Sequence, residues 1–305
     1  MPFPTVIDNT IRKAFVGCPT QAMYRHVRNI RPVSDESVDL RFGSAFATGV
    51  EITRKAFFQE DLPAKTAIED GIEAALVAYG DFVAPDKSNK TAVRLVGALR
   101  YYFEQWPLGE DGLTPVAGGI ECMFDIPLPL THPDTGEPIR YAGRYDMLAT
   151  GVNGRIYVVD EKTTSRLGNS WNAQWDLDAQ MTGYIWSVLY GIGYRVGKAA
   201  IAPDVEVMAQ IRGVSILLRD YGHAEIPLVR PIWAIDRWYN QMLRDVRRMV
   251  DSYETGTWDA ALYSNACVAY QRPCDYTMLC TSPNPERHIE HNYQTVVWNP
   301  IATKP

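Results

Sequence analysis

The chain has 305 residues, 46% of them hydrophobic, with five cysteines and a formal net charge of −6. That is enough apolar material for a sizeable core, and no run approaches the roughly 18 apolar residues of a membrane span. The acidic balance argues against a uniformly basic nucleic-acid binder but leaves a local phosphate track open.

Residues 8–30 are predicted as a helix carrying Cys18 with Arg12, Lys13, Arg25 and Arg28. From about 43 to 106 the pattern is helical, interrupted at Ala84-Pro85-Asp86. Strands follow from Val116: one over 120–130, the turn 131–136, then a strand through Tyr141-Ala-Gly-Arg-Tyr-Asp-Met-Leu148. Gly151-Val-Asn-Gly154 is a hairpin signal leading into a strand over 155–164, rich in β-branched and aromatic residues before it turns polar. Residues 176–190 are helical by period, strands are expected near 211–218 and 224–229, and 233–253 reads as a long amphipathic helix. The start of the chain lacks a basic stretch followed by an apolar one, so neither a secretory leader nor disulfides are expected. From Thr281 onward an extended, loosely packed tail is expected.

Chemistry concentrates in the middle. Alternation along a strand puts Asp160 and Lys162 on one face and turns Glu161 away, and a tight hairpin brings Asp146 beside Asp160. Two hard carboxylates on one side of a pocket suit Mg²⁺ or Mn²⁺, with Lys162 placed to steady a nucleophile or developing charge. Gln180 and Tyr184 lie one turn apart on the following helix. Taken singly, these could be charged strand ends and a half-buried helix face. Glu121 could approach the site or mark a strand edge. Trp171 and Trp175 could stack on single-stranded bases or serve burial.

In order, Gly143-Arg144-Tyr145-Asp146, Asp160-Glu161-Lys162 and Gln180-x3-Tyr184 resemble the PD-(D/E)XK nuclease superfamily, specifically its RecB-like branch. The resemblance implies an α/β fold with a mixed central sheet flanked by helices. It makes Asp146 and Asp160 metal ligands, the backbone carbonyl of Glu161 a further ligand and Lys162 the catalytic lysine. Gln180 and Tyr184 would line the DNA path. The family segment Gly-x3-His-x3-Glu matches Gly43 to Glu51, but its histidine position is Ala47, which cannot coordinate a metal. A carboxylate-only enzyme, a weakened homologue and an engineered substitution are all compatible with that residue.

Cys18, followed by proline, and the late Cys267, Cys274 and Cys280 resemble the four-thiolate pattern of the branch's iron–sulfur nucleases. These include exonucleases of CRISPR adaptation and phage or bacterial recombination. A [4Fe–4S] cluster stapling the chain ends is the expectation, ahead of zinc; reduced buried thiols are the plain alternative. Cys122 reads as a core residue.

The organisation expected is one domain over residues 1–285, with a helical lobe near 43–110, a catalytic sheet core near 116–230, a cysteine segment at 262–281 and a tail at 286–305. The function expected is a metal-dependent deoxyribonuclease, an exonuclease acting on single-stranded DNA ends in the cytoplasm of a bacterial or phage-infected cell. It would serve recombination, repair or CRISPR adaptation, with a protein partner from one of those pathways. The alternative is a catalytically weakened DNA-end-binding or assembly subunit with the same fold, because the expected metal-ligand histidine is Ala47.

Overall fold

A computed structural model of the protein describes residues 2–33, 37–196, 206–261, 266–269 and 272–301. The elements run in chain order as β1 (Val6–Ile7), α1 (Asn9–Gly17), α2 (Pro19–Ala22), a π-helical turn (Met23–Val27), β2 (Ile30–Pro32), α3 (Val38–Phe58), α4 (Ala64–Tyr79) and α5 (Ala92–Gln105). The long strands β3 (Leu113–Thr131), β4 (Pro138–Gly151) and β5 (Ile156–Thr164) follow, then α6 (Asn169–Ala173) and α7 (Ala179–Gly191). Next come β6 (Val207–Ile216), β7 (Tyr221–Leu228) and α8 (Ile232–Thr255). The chain closes with β8 (Val268–Ala269), β9 (Arg272–Pro273), α9 (Thr277–Thr281), α10 (Pro285–Asn292) and β10 (Tyr293–Thr295).

These elements form a mixed sheet with strand order β1-β4-β5-β6-β7, and β3 pairs with β4. The β5–β6 pairing is parallel, while β4–β5 and β6–β7 are antiparallel. The chain divides into two compact units, residues 36–122 with 145–235 and residues 1–35 with 123–144 and 236–305. The first contains the helical lobe with Asp146, Asp160 and Lys162; the second contains Cys18, Cys267, Cys274 and Cys280.

In the first unit, Phe42, Phe46, Leu95, Leu99 and Tyr102 from α3 and α5 form a core with Val214 of β6. The α3–α4 contact is tight because it is built on glycine. A Cβ at Gly71 would lie 1.9 Å from Thr53 Oγ1 and 2.5 Å from the carbonyl oxygen of Gly49. The hairpin forms where the sequence places it: Gly151 N–H donates to the Arg155 carbonyl at 2.9 Å, and Gly154 takes a φ of 76° that favours glycine.

Two expectations need correction in the other unit. The helix expected over 8–30 breaks at Cys18, which adopts an extended φ of −162° before Pro19 opens α2. Proline disfavours the helical conformation in its predecessor and suits the first turn of a new helix. The tail is not loose either: Pro285 starts α10, and β10 pairs antiparallel with β2 from Tyr293↔Pro32 to Thr295↔Ile30. Tyr276 stacks between Tyr24 and Tyr293 at centroid distances of 5.5 and 5.9 Å, tying these pieces together. Of the expected cysteine segment, residues 262–265 and 270–271 lie outside the described residues.

Candidate active site

The β4–β5 pairing ends with Met147 aligned on Val159, and Asp146 and Asp160 are the next residue on each strand. Asp146 Oδ2 accepts the backbone N–H of Glu161 at 2.8 Å, so one carboxylate is tied to the strand that bears the other. Lys162, two residues along the same face, forms an ion pair with Asp160. Among the described residues, Lys162 is the partner of the buried Asp160 Oδ2. Asp160 is 2% exposed, whereas the Lys162 side chain keeps a third of its surface.

The electrostatics follow from crowding. Loss of solvent, then the charges of Asp160 and Glu161, push the Asp146 carboxyl well above the usual aspartate range, against the pull of Lys162. Burial also raises Asp160, with Lys162 opposing it. Burial works against the Lys162 ammonium, but Asp160 and Asp146 more than compensate and hold it above its ordinary value. The site therefore resists carrying two bare carboxylates, a condition that a divalent cation relieves.

Glu161 turns away as alternation requires, but it does not reach solvent. Arg54 Nη2 of α3 donates to Glu161 Oε1 at 2.5 Å, and Tyr102 Oη of α5 donates to the same oxygen at 3.0 Å. Burial would raise the Glu161 carboxyl, yet the Arg54 charge and hydrogen bond, with help from Asp146 and Arg212, hold it below the usual glutamate range. Arg212 of β6, itself 2% exposed, donates to Asp111 at 2.7 Å. The peptide that carries Asp160 is thus clamped from behind by the helical lobe.

The segments around the pair are also placed. Asp178 caps α7 by accepting the N–H of Met181 at 2.9 Å, and its charge adds to the acidity around Asp160. Gln180 Nε2 donates to Tyr184 Oη at 2.8 Å; Tyr184 is buried edge-on against Tyr145, leaving Gln180 as the more accessible member of the pair. Tyr145 Oη in turn shares a 2.6 Å hydrogen bond with Ser187 Oγ. Glu121, at a left-handed φ of 52°, lies near enough to Asp146 to raise its carboxyl further. Ala47 lies on α3 one turn beyond Gly43, where a Cβ would stand 3.7 Å from Thr163 Oγ1 of β5, and two turns before Arg54.

Sequence reasoning missed Arg54, Arg212 and Asp178. The spacing from Ala47 to Arg54 on one helix face was the available signal for the first of these.

In the other unit, the four predicted cysteine ligands share one neighbourhood. The backbone N–H of Ala261 points at Cys18 Sγ at 3.4 Å, Cys267 Sγ lies 3.6 Å from the Ala261 carbonyl, and Cys274 N–H donates to the Cys267 carbonyl at 2.8 Å. Burial pushes the Cys280 thiol up, and Cys18, Cys274 and Cys267 add to the shift. Among the described residues, no three His, Cys, Asp or Glu side chains stand at metal-ligand spacing, here or around Asp160. Cys122 is half-buried and apart from this group in sequence and unit.

Comparison with known proteins agrees with the geometry. The sequence model of a family described as the PD-(D/E)XK nuclease superfamily matches residues 11–281. A crystal structure of a "Putative exonuclease" from Eubacterium rectale superposes with a TM-score of 0.50 at 13% identity, covering 91% of this chain and 94% of that one. The structure of a protein described only as SSO0001 aligns at a TM-score of 0.27 and 12% identity, over 65% of this chain and 74% of that one, too distant to inform the fold. No curated protein sequence matches the chain.

Proposed function

Because the chain belongs to the PD-(D/E)XK nuclease superfamily, we propose that it is a metal-dependent deoxyribonuclease of the RecB-like kind, an exonuclease that hydrolyses phosphodiesters from single-stranded DNA ends. The observation that carries this reading is a buried acidic pair with a lysine on it: Asp146 accepts the N–H of Glu161, next to Asp160, and Lys162 is ion-paired with Asp160. Two crowded, buried carboxylates are relieved by a cation, and hard oxygen donors select Mg²⁺ or Mn²⁺. Asp146, Asp160 and the Glu161 carbonyl would hold the ion, which when bound supplies Lewis acidity and screens the phosphate charge.

The protein's own groups do the rest. Lys162 keeps its proton next to Asp160 and Asp146, so it offers a positive charge to the attacking water or to a phosphate oxygen. The Glu161 N–H orients Asp146, and the clamp of Arg54 and Tyr102 fixes the strand that carries both catalytic side chains. Gln180 and Tyr184, joined by their hydrogen bond on α7, would line the DNA path.

Four gathered thiols in the other unit support a second cofactor of the same reading, a [4Fe–4S] cluster on Cys18, Cys267, Cys274 and Cys280. Soft sulfur donors suit iron–sulfur or zinc, and the resemblance of the cysteine pattern to that of iron–sulfur nucleases favours the former. Recombination, repair or CRISPR adaptation inside a bacterial or phage-infected cell is the setting this activity fits.

Ala47 favours a second reading, an end-binding or assembly subunit with little catalysis. End-labelled single- and double-stranded DNA incubated with Mg²⁺ or Mn²⁺ separates the two. Cleavage that Asp160→Ala abolishes supports the enzyme. No cleavage by the unmodified chain, with cleavage restored in Ala47→His, refutes an active natural site and leaves the binding subunit.

A further inference from the structure

We propose that Trp171 is a base-stacking wall of this site and selects strands whose bases are unpaired, an inference that rests on the nuclease reading and names its substrate more narrowly. In the parallel β5–β6 register Lys162 is the partner of Gly213, so their side-chain directions share one face. A Cβ at Gly213 would lie 2.3 Å from Trp171 Cη2. The indole therefore occupies the place a side chain would take in the row beside Lys162, on the face that carries Asp160.

The two tryptophans of this segment have different fates. Trp175 is 7% exposed and serves burial. Trp171 is only half-buried, packed edge-on against Trp175 at 5.5 Å and 76°. Its segment is held in place: Gln174 Nε2 donates to the Trp171 carbonyl at 2.9 Å, and Arg230 Nη2 donates to the Trp175 carbonyl at 2.7 Å. A rigid, part-exposed indole next to a catalytic lysine offers a ready π-surface at little ordering cost. A base inside a duplex is already stacked on both faces and must first be unstacked to use it, whereas an unpaired base pays far less.

The test is equilibrium binding of fluorescent single-stranded oligonucleotides, intact or with an abasic site stepped along the strand, to Asp160→Asn protein with and without Trp171→Ala. With Trp171 present, one abasic position should weaken binding by about 5- to 150-fold, the range for one base on an aromatic ring. That penalty should vanish with Trp171→Ala and persist with Trp171→Phe. Gly213→Ala, which displaces the indole without removing it, should reduce the penalty as well. An abasic penalty of the same size with and without Trp171 overturns the proposal. Cleavage of end-labelled strands by the otherwise unmodified protein is read in parallel. An absent cleavage with an intact Trp171-dependent penalty sinks the nuclease reading alone; cleavage with a Trp171-independent penalty sinks the stacking wall alone. Failure of both proteins to bind single strands sinks both.

Discussion

Removing the clamp behind the strand that carries Asp160 and Lys162 has a calculable cost. In Arg54→Met the guanidinium that sits 2.5 Å from Glu161 is lost, and the two side chains are 3% and 2% exposed, so solvent cannot replace it. Breaking a fully buried pair from one side costs about 3–5 kcal/mol, mostly the penalty of stranding the other charge. Tyr102 still donates to Glu161 and Arg212 still contributes charge, so the lower end, about 3 kcal/mol, is expected. Urea denaturation of metal-free protein should show the midpoint falling at unchanged slope. The sign with pH is fixed by Glu161: its folded carboxyl is depressed, so the pair's contribution is complete above the unfolded value of about 4.3 and is lost as pH falls through the folded one. The gap between the two proteins should therefore be full at neutral pH and close below about 4.3. Adding Glu161→Leu to Arg54→Met should recover much of the loss, since no charge is left stranded. A single-variant loss under about 1 kcal/mol, or a double variant as costly as the two singles summed, would refute the clamp.

Three further outcomes follow, two from the same site and one from the cysteine group of the other unit. Asp146→Asn should abolish cleavage yet raise the melting temperature of metal-free protein, because the raised Asp146 carboxyl marks a charge the fold resists; a lowered melting temperature would contradict that account. Mn²⁺ binding followed by calorimetry in buffers of different ionisation enthalpy should release protons, and should weaken as pH falls through the raised range of Asp146 and Asp160; pH-independent affinity would place the ion elsewhere. Protein purified without oxygen should carry iron and visible absorbance, both lost in Cys18→Ser, whereas zinc in place of iron would correct the cluster assignment.

The legible parts of this chain were local. The hairpin at Gly151 and Gly154, and the split of Asp160 and Lys162 from Glu161, follow from turn chemistry and the two-residue period of a strand. The break at Cys18 was also there to be read in Pro19, but the helical period on either side masked it. What could not be read was distance. Arg54 and Glu161 are 107 positions apart, so nothing in the local pattern says that a residue facing away from Asp160 and Lys162 has a buried partner. Glu121 looked like a strand-edge charge because the left-handed kink that brings it near Asp146 leaves no signature in a non-glycine residue. The tail looked loose because β10 gains its order from β2, more than 250 residues upstream, rather than from its own composition.

That last pairing decides where the gene can be cut. A shortened version ending at residue 285 would look safe by sequence, but it would strip β10 from β2 and leave the hydrogen-bonding edge of Ile30–Pro32 bare. It would also remove Tyr293 from the stack on Tyr276. Bare strand edges recruit other chains, so such a truncation should express as aggregate while a fusion placed after residue 301 leaves the edge covered.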